Sequence, residues 1–433
     1  MTATSTTEIV ANGTTTVSTH TNTVFIVEPT GVLDVTTGGK VKEAIINGGE
    51  QQVLNGGVAV DTTVGPGAVQ LVYNAKVIDT VLQGHQQVLS NGLSIGTMIE
   101  NGGDQYVGAG GTARRTTVLD GGLQYVAANG TSRGTIIYDG GYQYDAGTAI
   151  NTKVQDGATQ EVVGIAKNTI VYDGGTQIVD DGGLATGTKV QTGGFQQVFD
   201  ATVKGTDLSG SQQILADGVA RNTVVREGGN AYVGADGLSH GSVVKAGALQ
   251  YVAANGDAEN TKLDGGIMFV AAGGFAYHTI VVNDGMLDVQ GTAENTRLYD
   301  GIEYVHAGGT QHNIDFSGPG GTLYLEEASG LTGTISHFQV GDAIELLGVS
   351  TVSFTFDHSN LTLATSAGTY TYHFAGIKDD TAFTVASDGQ GGTSISLARL
   401  AQECASLVPE AGLEQALHPQ EILSTQALVF AQT

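Results

Sequence analysis

Tyr106, Tyr125 and Tyr144 recur at intervals of 19 residues, and Tyr232, Tyr251 and Phe269 recur at 19 and 18. Rings held at such spacing on neighbouring strands form stripes whose chemistry is adhesion, either to sugar rings or to another apolar surface. The same spacing has a structural reading, because cross-strand aromatic pairs favour strand stacking. Acidic groups offer a second chemistry. Asn-Gly-Gly and Asp-Gly-Gly sequences, starting at Asn101, Asp120, Asp139, Asp173 and Asp264 among others, would align carboxylates into a row able to bind calcium. The chain lacks the Gly-Gly-x-Gly-x-Asp nonapeptide of calcium-binding rolls, and Asp before Gly is what a tight turn requires. No cofactor and no metal site is therefore expected, with calcium the one candidate ion. Acid–base cleavage of a glycan needs a local cluster of charges that breaks the repeat. The candidates Arg114-Arg115, Asp180-Asp181 and Arg226-Glu227 each fall in a turn or exposed slot without an inserted loop, and read as solvated charge. His85, His240, His278, His306 and His312 lack metal-site spacing. No catalytic residue is assigned, and the chain is read as not an enzyme.

The elements that must position these groups follow from a repeat of 16 to 19 residues between about residues 45 and 310. A threonine column runs through Thr62, Thr80, Thr97, Thr116 and Thr135 to Thr296, with an aliphatic residue two positions after each. A glutamine column runs from Gln51 through Gln70, Gln86, Gln105, Gln124, Gln143, Gln160, Gln177 and Gln196 to Gln212. It continues as Ala231, Gln250, Met268, Leu287 and Glu303, and again Val or Ile follows two positions later, Asp145 excepted. A small residue such as Ala113 or Ser132 precedes the threonine by three. Offsets of two put both members of a pair on one face of a strand, and the glycine-bearing sequences between them suit turns. A repeat this short cannot bury its own apolar face and must stack on the next. Where spacing falls below 19, the residues are lost from turns, so the strands keep phase.

Stacking places one buried glutamine per coil at about 4.8 Å. The expected outcome is a ladder of amides bonded up the stack; the alternative is a half-solvated rim. Because Met268 and Leu287 occupy the same column, Gln124→Leu reads as a tolerated change.

Composition fits strands, with 66 glycines, 5 prolines and no tryptophan in 433 residues. The single cysteine, Cys404, excludes an intrachain disulfide or a cysteine-based zinc site. A net charge of −26 argues against nucleic acid and anionic membranes as partners. No stretch of about 20 apolar residues is present to span a membrane, and Met1–Thr7 lacks the features of a secretory signal.

Four segments are expected. Residues 1–45 form an N-terminal cap with degenerate coils, and 46–316 form the regular solenoid. After Gly318-Pro319-Gly320-Gly321, residues 317–397 form a β-rich C-terminal capping domain of alternating strands. Residues 398–433 carry apolar residues at helical spacing and read as a short helical tail.

The coil consensus, Thr-x-aliphatic-x-x-Gly-Gly-x-Gln-x-Val followed by Gly-x-Ala, resembles the passenger repeats of AIDA-type autotransporter adhesins, with Thr116 to Ala149 a close instance. The resemblance implies an all-β, right-handed parallel β-solenoid displayed on the bacterial surface or secreted. It implies a structural rod for adhesion, self-association or biofilm assembly. Its partners would be further copies or cell-surface glycans and proteins. Phe338-Gln339-Val340-Gly341-Asp342-Ala343-Ile344-Glu345-Leu346 is similar to terminal modules of proteins exported in one step. The alternative is a carbohydrate-active enzyme on the same scaffold. The surface positions singled out for binding are Tyr106, Tyr125, Tyr144, Tyr232, Tyr251 and Phe269.

Overall fold

The computed structural model describes residues 6–379 and 381–398. Those up to Leu397 belong to one compact unit, and the helical tail expected over 398–433 lies outside the described residues. The unit is a parallel β-solenoid of about 19 turns with essentially no helix.

Each regular coil holds three strands, one more than the spacing predicts. In one coil they are Thr112–Arg114, Thr117–Val118 and Leu123–Val126. Each pairs in parallel with its equivalents in the coils before and after, so Gln124 sits between Gln105 and Gln143 and Val118 between Ile99 and Ile137. We call the three faces the alanine, threonine and glutamine sheets. The alanine strand escaped the pattern because three residues offer a single inward position, here Ala113, and one position has no period. Five side chains per coil point inward: Ala113, Thr116, Val118, Gln124 and Val126 are all buried. Burying each aliphatic contributes roughly 1.5–3 kcal/mol, which accumulates coil by coil.

The bend between the alanine and threonine sheets is made by one residue in the left-handed region immediately before each threonine. Asn151, Asn168 and Asn222 have φ of +57°, +54° and +55°, and Gly134, Gly187 and Gly205 serve the same place in other coils. Asparagine, aspartate and glycine tolerate this conformation; Arg115 and His278 adopt it as well. At the other bends coils approach closely. A Cβ on Gly111 would lie 2.0 Å from the Val88 carbonyl oxygen, so no larger residue fits there.

The glutamines form an unbroken ladder. From Gln70 to Gln212 every Nε2 donates to the Oε1 of the glutamine one coil earlier, at 2.5–2.8 Å. The threonine column completes it. Thr135 Oγ1 donates to Gln124 Oε1 at 2.9 Å, Thr169 to Gln160 at 3.0 Å and Thr188 to Gln177 at 3.1 Å. Each amide oxygen from Gln51 to Gln196 thereby accepts at least twice, which offsets the cost of burying it. Where the column changes to Ala231 and Met268, partners run out. Gln250 Nε2 and Oε1, Thr261 Oγ1 and Thr279 Oγ1 are buried without one.

Asp145 breaks the valine column for a local reason. Its coil is short by two residues between the glutamine and alanine strands. Its buried carboxylate fills the tightened bend, accepting from Gly147 N at 3.2 Å and Ala149 N at 3.0 Å. Burial pushes its pKa up to about 7, against the pull of those two N–H donors.

Parallel stacking extends to the first described strand and, at the other end, past Phe316. Thr7–Val17 pairs with Val24–Val35, which pairs with Glu43–Ile46 and Glu50–Leu54. Beyond Phe316, Thr322–Leu325 and then Ala343–Leu346 continue the glutamine sheet. Pairing then turns antiparallel: Thr351–Asp357 with Asn360–Thr365, that strand with Gly368–Ala375, and Thr393–Leu397 with both Ala343–Leu346 and Phe383–Ser387. Phe316, Phe338, Phe374 and Phe383 make successive edge contacts at 5.0–5.2 Å that tie these strands to the solenoid core.

Candidate interaction surface

The outward column of the glutamine sheet brings the predicted aromatic residues together in two stacks. Tyr106 meets Tyr125 with ring centroids 5.4 Å apart and planes within 11°, and Tyr125 meets Tyr144 at 5.1 Å and 11°. Tyr232 meets Tyr251 at 5.5 Å and 5°, and Tyr251 meets Phe269 at 5.2 Å and 18°. Tyr106 is exposed and the other five are half-buried. The separations match the interstrand distance, so the rings turn their faces on one another and their edges outward. Small residues make room for them. A Cβ on Gly108 would sit 2.8 Å from Tyr106 Cε1, and one on Gly234 would sit 3.0 Å from Tyr232 Cε1. Gly108→Val is accordingly expected to push the Tyr106 ring out of its stack, changing tyrosine fluorescence while costing only about 1 kcal/mol. An unaltered spectrum would show that the ring does not rest on this glycine.

The next members of that column depart from the sequence expectation. Asp288 and Tyr304 fall at the same outward position, between the column residue and its valine, yet both are buried. The reason is a polar cluster folded over them. His306 Nε2 lies 2.9 Å from Asp288 Oδ1 and its Nδ1 3.3 Å from Glu326 Oε1. Tyr304 donates its hydroxyl to the same Glu326 oxygen at 2.9 Å, and Ala307 N donates to the other at 2.8 Å. The hydrogen bond to Asp288 leads in raising His306, against partial burial. Burial alone would raise Glu326, but the Ala307 amide, the Tyr304 hydroxyl and His306 together hold it below the usual range. His306 alone in sequence gave no sign of this; a histidine two residues after a column aromatic, with a carboxylate at the same place one coil on, was the available signal.

The charged pairs weighed for catalysis do not converge. Arg114, Arg115, Asp181 and Glu227 are exposed. Arg226 pairs across one coil with Asp207. Asp180 is half-buried and raised, first by burial and then by the Glu161 and Asp181 charges. Among the described residues no three His, Cys, Asp or Glu side chains are grouped to hold a metal ion. The Asp-Gly-Gly carboxylates instead lean along the stack, Asp120 over Gly140, Asp139 over Gly157 and Asp173 over Gly193.

The family model for "Adhesin of bacterial autotransporter system, probable stalk" (AIDA) matches residues 82–141, a segment that includes Tyr106 and Tyr125. The crystallised TibC-catalyzed hyper-glycosylated TibA55-350 fragment aligns at 34% identity over 55% of this chain and 91% of that one, with a TM-score of 0.53. The chain belongs to the AIDA-type adhesin stalks. Such a stalk is displayed on the bacterial surface or outside the cell and serves adhesion as a rod. The Dettilon tailspike protein aligns at 9% identity over 86% of this chain and 83% of its own, with a TM-score of 0.20, and carries no argument. No curated protein matches significantly. Among the stalk's described residues no helix is long and apolar enough to cross a membrane.

Proposed function

We propose that this adhesin stalk is a non-enzymatic rod that binds by repeated weak contacts along its outward faces. The observation that carries the reading is the pair of aromatic stacks, each repeating over three consecutive coils and half open to solvent. Equivalent contacts at one-coil spacing act multivalently, each raising the effective concentration of the next. Tyr106, Tyr125, Tyr144, Tyr232, Tyr251 and Phe269 are the contact residues, and the partner is a second copy of the rod or a glycan or protein of another cell.

The winding is right-handed. Residues 46–316 are the adhesive length, residues 1–45 cover the first coil, and 317–397 cover the last. The Phe316–Phe338–Phe374 contacts support that closing role, and an open stack of strand edges needs one. A hollow of about 640 Å³ lined by Ser317, His337, Phe338 and Gln339 holds no paired carboxylates, which supports a scaffold over a glycan-cleaving enzyme.

Tyr106→Ser, Tyr125→Ser and Tyr144→Ser combined are expected to cut adhesion of rod-coated beads to cells and to each other at least tenfold, with an unchanged circular dichroism spectrum. Adhesion equal to wild type would reduce the stacks to packing devices.

A further inference from the structure

One bend of this acidic chain is basic. At the corner between the alanine and threonine sheets, the outward position after the small residue holds Arg114, Arg133, Lys167, Lys204 and Arg221. The two intervening coils place Ile150 and Thr186 there instead. In those coils the cation moves across the corner to the threonine sheet, as Lys153 and Lys189. Seven consecutive coils therefore each present a cation along one edge, and Arg115 adds an eighth at the corner itself. All eight are exposed, and none is in an ion pair among the described residues. Eight of the chain's 17 cations thus lie on the alanine and threonine strands or the corner between them from residue 112 to 225. The only acid on those strands is Asp207, already engaged by Arg226.

We propose that this edge binds a linear anionic polysaccharide, one bearing uronate or sulfate groups, laid along the solenoid axis. The proposal deepens the adhesive reading by naming a ligand class and a second face. Seven coils at about 4.8 Å present a line of charge about 30 Å long, matched to a polymer with an anion on every one or two sugars. At physiological salt, charges beyond about 8 Å are screened, so the edge acts locally despite the net charge of −26. Between the cations stand half-exposed Ile136, Ile150 and Ile170, which suit the C–H faces of sugars. Beside these strands between residues 112 and 225 the aromatic side chains are Tyr138 and Tyr172 alone, on separate coils, too few to stack successive bases, which disfavours single-stranded nucleic acid. A second copy is the poorer occupant. Its acidic row, Asp120, Asp139, Asp156 and Asp173, is exposed, but each side chain leans along its own stack over a glycine of the following coil.

The test uses the full chain with dextran sulfate and alginate, and neutral dextran as control. Wild type is expected to bind both anionic polymers at 50 mM salt, with affinity falling steeply as salt rises. The combined Arg133→Ser, Lys167→Ser and Lys204→Ser variant is expected to lose at least tenfold. A variant of equal charge change at exposed sites elsewhere, Lys40→Ser with Lys42→Ser and Lys378→Ser, is expected to lose less than twofold. Circular dichroism confirms that both fold. No polymer binding by wild type, or equal losses in the two variants, overturns the proposal. So does duplex DNA binding as tightly as alginate, or an edge variant that abolishes self-association while still binding polymer. Polymer binding that persists undiminished in the edge variant, with cell adhesion still dependent on the tyrosines, would remove the edge alone and leave the aromatic reading standing.

Discussion

Gln124→Leu is expected to destabilise the solenoid by about 3–5 kcal/mol, the reverse of the tolerance its column suggests in sequence. Gln124 is an internal rung, accepting from Gln143 Nε2 at 2.5 Å and from Thr135 Oγ1 at 2.9 Å, and donating to Gln105 Oε1 at 2.6 Å. Leucine removes all three bonds. Gln105 Oε1 keeps Thr116 at 3.2 Å, and Gln143 Nε2 keeps only Ser132 at 3.2 Å. Thr135 Oγ1 keeps nothing. Orphaning a buried polar group costs about 1–3 kcal/mol, and the shortened ladder also loses mutual polarisation. Met268 and Leu287 are no precedent, because they stand beyond the ladder's end at Gln212, where the cost already shows in unpartnered Thr261 and Thr279. Met268→Leu should therefore change stability by less than about 1.5 kcal/mol. Denaturant melts of the two variants decide the matter; similar midpoints for Gln124→Leu and wild type would mean the ladder adds nothing.

The second large effect is on pH. The protein is expected to melt about 5 °C or more higher at pH 5 than at pH 8. Burial raises Asp145 from 3.8 to about 7 and Glu303 from 4.5 to about 8. The folded state keeps these protons where the unfolded chain has released them. Stability is fully present below the unfolded values and falls as pH rises to about 7 and 8. Each rise corresponds to at most on the order of 5 kcal/mol. His306, also raised, adds to the same trend, its share lost as pH climbs through its folded value. Asp264 and Glu326, held low, act oppositely and only at the acid end. Asp145→Asn with Glu303→Gln should flatten the profile between pH 5 and 8. A profile of unchanged slope in that double variant would falsify the assignment to these two carboxylates.

The repeat was legible because stacking forces like residues above like. Gln105, Gln124 and Gln143 read as a column, and are one. The unread parts have physical reasons. The bend residue before each threonine varies among Asp79, Arg115, Gly134 and Asn151, since the constraint falls on the backbone and not on one side chain. Ala113 shows no alternation because its strand is too short. Asp288 and Tyr304 sit in an outward slot, and only the fold reveals His306 and Glu326 closing over them. The aromatic positions were visible, but their half-burial was not, because it depends on rings turning toward each other.

Uniform rungs carry a hazard as well as strength. Gln86, Gln105, Gln124 and Gln143 follow one another at identical 19-residue intervals, so a strand docking one level too high would remake every amide bond it missed. Nothing in the ladder can tell those alignments apart. Discrimination must come from the irregular members, the 16- and 17-residue coils and the lone Asp145, Ala231 and Glu303, which act as bookmarks. Misthreading during folding should concentrate between residues 86 and 143, where no bookmark interrupts the text.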